Sequence, residues 1–178
     1  MGFKDLGSER LFNGKLLKVW QEGVELPNGR QVNLEVIHHP GSVAILPIDD
    51  QGQIWFTYQY RHPIRQMLLE LPAGTLEKGE LPEDCARREI QEEIGMAAKH
   101  LEALGTIYLV PGYSDEQMYV YLASGLVPSK LESDYGEYIE IKSLFVREVY
   151  TLLEQGELLD SKTAAALGMA RERLKPWL

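Results

Sequence analysis

With 178 residues, 44% of them hydrophobic and 25% charged, the chain is long enough for one sizeable core and short for two full domains. A net charge of −9 repels a polyanion at long range, which excludes duplex DNA or long RNA as an expected partner; a small anionic substrate stays open, because local arginines or bound cations reverse the sign inside a cleft. No apolar run is long enough for a membrane span or a signal-peptide core, and the single cysteine, Cys85, allows no internal disulfide, so a cytoplasmic protein with no membrane partner is expected.

The N-terminal third reads as strands. Lys15 to Leu26 is long and partly alternating, Pro27-Asn28-Gly29 is a hairpin turn signal, and Val32 to Ile37 alternates again. Ser42 to Ile48 and Gln53 to Tyr60 read as a second strand pair about the turn Asp49-Asp50-Gln51-Gly52. Gln66 to Leu71 is a short strand that runs into Pro72-Ala73-Gly74. A helix follows: Pro82 suits its first turn, Glu83 and Asp84 favour the positive end of its dipole, and Ala86, Ile90 and Ile94 form a buried stripe up to a cap at Gly95. Leu104 to Val110 and Met118 to Ala123 read as strands flanking Pro111-Gly112, and Ile139 to Phe145 as another. Two helices close the chain, roughly Arg147 to Gln155 and Ser161 to Leu174. Many strands, one central helix and two terminal helices predict a mixed α/β layer architecture.

The chemistry lies in Gly74 to Met96, GTLEKGELPEDCARREIQEEIGM. Glu89, Glu92 and Glu93 stand at i, i+3 and i+4 and share one helix face. Like charges at these spacings repel, and they lie in the last turns, where the dipole disfavours anions. Arg88, four residues before Glu92, relieves part of the strain, and the remaining charge asks for a cation. Mg²⁺ or Mn²⁺ answers that need, since these hard ions choose carboxylate and carbonyl oxygens. Gly74 has no side chain to keep a backbone carbonyl of the preceding loop at a distance. A solvated acidic helix end would explain Glu92-Glu93 alone, but not the whole segment.

Gly74, Glu80, Arg88, Glu89, Ile90, Glu92, Glu93, Gly95 and Met96 match the Nudix signature without gap or departure, which from ordinary residue frequencies arises by chance at a given start with a probability on the order of 10⁻⁸. The sequence resembles the Nudix hydrolase family and, outside this box, its ADP-ribose pyrophosphatase branch. Three features carry the second likeness: Gln59-Tyr60-Arg61 before the box, Leu69 to Gly74 leading into it, and Pro111 sixteen residues after Gly95, opening the loop Pro111 to Glu116. Val110 stands where many members have serine.

The resemblance implies an α/β/α sandwich with a mixed sheet over residues 41–178, preceded by an antiparallel strand extension over residues 1–40. In the branch such strands cross to a second subunit, so a homodimer is expected. It implies that Glu89, Glu92, Glu93 and the carbonyl of Ala73 hold Mg²⁺, with Mn²⁺ a possible substitute, and that Glu80 and Arg88 hold the loop and helix together. Arg61, Glu70, Pro111 and Glu116 would meet the substrate, a small nucleoside diphosphate derivative. A general base is expected from the acidic segment Glu132 to Glu137, with Glu137 the choice and Glu92 next. The implied reaction is hydrolysis of ADP-ribose to AMP and ribose 5-phosphate. Competing readings are another nucleoside diphosphate sugar such as GDP-mannose, a ligand sensor without catalysis, and a nucleotide triphosphatase. His38, His39, His62 and His100 show no metal spacing and are read as structural. Tyr58, Tyr60, Tyr108 and Tyr113 are read as sheet packing, and Cys85 as a small buried apolar residue.

Overall fold

The computed structural model describes residues 2–14, 17–132 and 138–178. Its contacts divide into two compact units, one of residues 1–40 and 108–117, the other of residues 41–107 and 118–178.

The first unit is built on a three-stranded antiparallel sheet of β1 (Lys4–Asn13), β2 (Lys18–Glu25) and β3 (Gln31–Ile37), in the order β1-β2-β3. The turn between β2 and β3 falls on the expected Pro27-Asn28-Gly29, closed by Gly29 N–H to Leu26 O at 2.8 Å. All ten residues of β1 are exposed. That explains why sequence patterning missed this strand: with no buried face it has no apolar alternation to read. The segment 108–117 joins this unit through a parallel bridge between Ile37 and Ser114.

The second unit has two sheets. One has the order β7-β4-β9-β8 and contains β4 (Ser42–Pro47), β7 (Ala73–Thr75), β8 (Met96–Tyr108) and β9 (Gln117–Pro128); the other has the order β10-β5-β6 and contains β5 (Gln53–Arg61), β6 (Gln66–Glu70) and β10 (Ile139–Phe145). β4 runs antiparallel to β7 and parallel to β9, so its sheet is mixed. The expected pairing of β4 with β5 is corrected. They share only the bridge Ile48–Ile54 beyond their turn, because β7 and β9 take both edges of β4 while β10 and β6 take both edges of β5. β8 is an edge strand and begins eight residues before the expected Leu104. Half-solvated, it tolerates Lys99, His100 and Glu102, which hide it from a hydrophobic-pattern reading.

Every residue of β4 is buried, so both faces of the strand are covered. Val43 and Ile45 cluster with Cys85, Ala86, Ile90 and Ile94 of α1 (Pro82–Ile94) and with Tyr121 and Ala123. Ala44 and Leu46 alternate onto the opposite face, where α3 (Ser161–Leu174) packs on β4 with Ala166, Leu167 and Ala170 buried. α2 (Val146–Glu154) packs on β5 and β10, and a short 3₁₀ turn, Lys175–Trp177, ends the chain. A mixed sheet between α1 and α3 is the expected α/β/α sandwich.

Candidate active site

α1 forms because Pro82 occupies its first turn, Glu83 and Asp84 meet the positive end of its dipole, and an apolar stripe returns every four residues. Gly95 ends it in the left-handed conformation at φ 69°, donating its N–H to Ile90 O. Cys85, Ala86, Ile90 and Ile94 turn into the core, and Arg88, Glu89, Glu92 and Glu93 are part-buried along the border of that stripe.

Arg88 organises this face. Its Nε and Nη2 donate to the two oxygens of Glu80 at 2.9 and 3.0 Å, which locks the loop before α1 onto the helix. Its Nη1 donates to Glu89 at 2.7 Å and to Glu92 at 2.9 Å. The Arg88 guanidinium bound to Glu80 holds that carboxyl far below its usual range, at about 2, and Glu80 in turn raises the Arg88 pKa. Nη2 also lies 3.3 Å from Cys85 Sγ. Burial pushes the Cys85 thiol up to about 12, so it is a packed apolar residue and no nucleophile.

The strand leading into the box meets the same face. Ala73 N–H donates to Glu93 Oε2 at 2.9 Å. Glu89 lies against Gly74 so closely that a β-carbon there would fall 1.8 Å from Glu89 Oε1. Only glycine admits this approach. The four residues expected to bind metal, Ala73, Glu89, Glu92 and Glu93, therefore gather at one place. Among the described residues no three acidic, histidine or cysteine side chains converge closely enough to hold an ion as they stand; Glu89 and Glu92 converge instead on Arg88 Nη1. The donor set still fits a hard divalent cation, since it is made of carboxylate oxygens with no thiolate or imidazole. The Arg88 nitrogen is a positive charge already held where two of them meet.

Arg61, at the end of β5, and Glu70, at the end of β6, were expected to meet substrate, and the structure pairs them with each other. Thr57, four residues before Arg61, is the sheet partner of Glu70, so both side chains share one face. Arg61 Nε and Nη2 donate to the two Glu70 oxygens at 2.7 and 2.8 Å. The Arg61 side chain is 44% exposed and that of Glu70 only 2%. Burial pushes the Glu70 carboxyl up, but Arg61 and Lys162 together outweigh it and hold it below the usual range. Lys162, Asp160 and Thr163, at the start of α3, complete this cluster, and sequence reading missed them. They lie about ninety positions from Glu70 in the chain; the Asp160 cap marks a helix start but not what the helix touches.

Pro111 and Glu116 belong to the other unit. There Tyr113 and Ser114 donate their N–H groups to Val110 O, each at 3.1 Å, and Glu116 N–H donates to Ser114 Oγ. Glu116 faces His39 at 3.9 Å. Pro111, Tyr108 and Tyr113 line a cavity of about 330 Å³ with Leu34 and Val36. Tyr108 and Tyr113 are both exposed, so neither is the sheet-packing residue that was expected. Glu137 lies outside the described residues.

A carboxylate cluster on one helix, locked to its loop by an arginine, with the Arg61 guanidinium on a neighbouring sheet, is an arrangement that can act on an anionic substrate together with a divalent cation. Residues 38–166 match the NUDIX domain, and the chain belongs to that family. It is 40% identical over 166 residues to the ADP-ribose pyrophosphatase of Bacillus subtilis (strain 168), covering 92% of this chain and 90% of that one. It is 36% identical over 168 residues, with the same coverage, to the methanol dehydrogenase activator of Bacillus methanolicus. The solved structure of an ADP compounds hydrolase superposes with a TM-score of 0.89 at 26% identity, covering 99% of this chain and 96% of that one.

Proposed function

We propose that this protein is a metal-dependent Nudix pyrophosphohydrolase that cleaves ADP-ribose to AMP and ribose 5-phosphate. The carrying observation is the complete box: Glu89, Glu92 and Glu93 on one face, Gly74 open beneath Glu89, and Arg88 locking Glu80. The substrate follows from similarity to the Bacillus subtilis enzyme over 92% of the chain.

In the reaction water adds to one phosphorus, the bridging P–O bond breaks, and the proton of the water passes to a carboxylate. Glu89, Glu92, Glu93 and the Ala73 carbonyl would hold Mg²⁺, with Mn²⁺ able to replace it. When bound, the cation offsets the phosphate charge that otherwise repels the nucleophile. Arg88 and Glu80 fix the box, so the carboxylates need no rearrangement of the loop to act. Arg61 binds a phosphate oxygen through the guanidinium edge not engaged by Glu70. Pro111 and Glu116 contact the sugar end. Glu137 takes the proton, and Glu92 is the next candidate. We also propose a homodimer formed by the first unit, a cytoplasmic setting and no nucleic-acid or membrane partner. Exposed Phe3, Leu6, Leu11 and Phe12 on and beside β1 support the dimer. Among the described residues no helix is long and apolar enough to cross a membrane.

A panel of nucleoside diphosphate derivatives incubated with Mg²⁺, with products identified by mass, tests the reading. AMP and ribose 5-phosphate from ADP-ribose, lost on chelation, are expected; an intact ADP-ribose pool refutes it.

A further inference from the structure

The first turn of α3 grips the end of β6 at two successive residues. Lys162 Nζ bonds Glu70 Oε2, and Thr163 Oγ1 accepts the Leu71 N–H at 2.9 Å. Asp160 ties the grip together: its carboxylate caps α3 by accepting from Thr163 N–H at 3.0 Å, takes the Thr163 hydroxyl at 2.6 Å, and lies 3.0 Å from Lys162 Nζ. Arg61, Glu70, Lys162 and Asp160 thus form a chain of alternating charge, two positive and two negative. Its inner members are shielded, with side-chain exposures of 2% for Glu70 and 9% for Lys162. Of its two ends, Asp160 is 12% exposed and Arg61 is the more open at 44%.

We infer that Lys162 is a positioning residue for Arg61: by neutralising the buried Glu70 and the part-buried Asp160, it leaves the outer edge of the Arg61 guanidinium aimed at a substrate phosphate. This rests on the proposed role of Arg61.

The geometry gives the reason. Arg61 spends Nε and Nη2 on Glu70 in a two-bond fork, and among the described residues no partner takes Nη1. A guanidinium held by one edge presents the other edge for a second fork, the arrangement in which arginine binds phosphate best. Without Lys162, two shielded carboxylates would share Arg61 as their cation. Asp160 already acts on Arg61 through space, as does Glu93. Arg61 would be drawn toward them, and its free edge would turn from the substrate. Lysine serves this purpose as a compact point charge that can sit between two carboxylates.

A double-mutant cycle separates positioning from mere support, because residues acting through one another are not additive. ADP-ribose kinetics with Mg²⁺ are measured for wild type, Lys162→Met, Arg61→Ala and the double variant. Lys162→Met is expected to raise KM about tenfold, and to add less than twofold in the Arg61→Ala background. Lys162→Arg, which keeps a cation on both carboxylates, is expected to recover most of the loss. If Lys162→Met does not fold, Lys162→Gln carries the same cycle, since it keeps a donor on Glu70 and removes only the charge. An unchanged KM, or a tenfold rise that persists without Arg61, overturns the inference. Should wild type cleave a different nucleoside diphosphate derivative, the substrate reading fails by itself, and the cycle run on that substrate still decides the role of Lys162.

Discussion

Arg88 carries four hydrogen bonds to three glutamates, and the functional face of α1 depends on it. The glutamates of the shared helix face differ in what else they touch. Glu89 and Glu92 share Arg88 Nη1, Glu89 also lies against Gly74, and Glu93 accepts the Ala73 N–H. Glu93→Gln keeps an oxygen that accepts from Ala73, so the fold should hold while most activity is lost, a cost of several kcal/mol in transition-state stabilisation. Near-normal turnover with an unchanged melting temperature would remove Glu93 from the metal set. Gly74→Ala tests the neighbouring support. The new methyl group meets the far end of a flexible side chain, so Glu89 must swing away while the backbone stays. Turnover should fall at least about a hundredfold, as when a catalytic group is displaced by about an ångström; circular dichroism should show an unchanged fold. These residues were legible in the sequence because their chemistry is local: spacing on one helix and a glycine beside it. Lys162 and Asp160 were not, since their partner Glu70 is reached only through the tertiary fold.

At the level of elements, the same contrast recurs. α1, α3 and β10 were readable because a buried stripe or an alternating face marks them. β1 and the first half of β8 were hidden because one is wholly exposed and the other an edge strand. The joint between β2, β3 and the loop 108–117 was also hidden. There His38, read as structural, faces Asp115 Oδ2 at 2.6 Å through Nδ1 and Glu22 Oε1 at 2.9 Å through Nε2. Carboxylates only accept, so both contacts require the doubly protonated imidazolium. The hydrogen bond to Asp115, aided by that to Glu22, raises the His38 pKa above its ordinary 6.5. A raised basic group stabilises the folded state fully below 6.5, and the contribution fades as pH climbs through the higher folded value. Asp115 complements this. Burial pushes its carboxyl up, but His38 and the His39 N–H outweigh burial and hold it below its ordinary 3.8. Its share is therefore present above 3.8 and fades as pH falls through the lower folded value. An NMR titration should find His38 above 6.5 in wild type and lower in Asp115→Asn. The same value in both proteins would break the assignment.

For the whole molecule, a mixed α/β architecture was legible from the succession of strands and helices and the α/β/α layer order from the family resemblance, whereas the division of β4 and β5 between two sheets was not. A turn signal specifies that two strands reverse, and competition for their edges decides which partners they keep. The exposed apolar residues of β1 make a molecular-scale prediction: sedimentation at micromolar concentration should show a dimer, and Phe12→Asp should shift it toward monomer. A wild-type monomer would contradict the proposed assembly. The central claim concerns the substrate, and the direct measurement is kcat/KM with Mg²⁺ for ADP-ribose against GDP-mannose. The loop opening at Pro111 and the likeness to the Bacillus subtilis enzyme predict a preference for ADP-ribose of roughly tenfold or more, a margin that pocket contacts can supply. Equal values, or the opposite order, would contradict it.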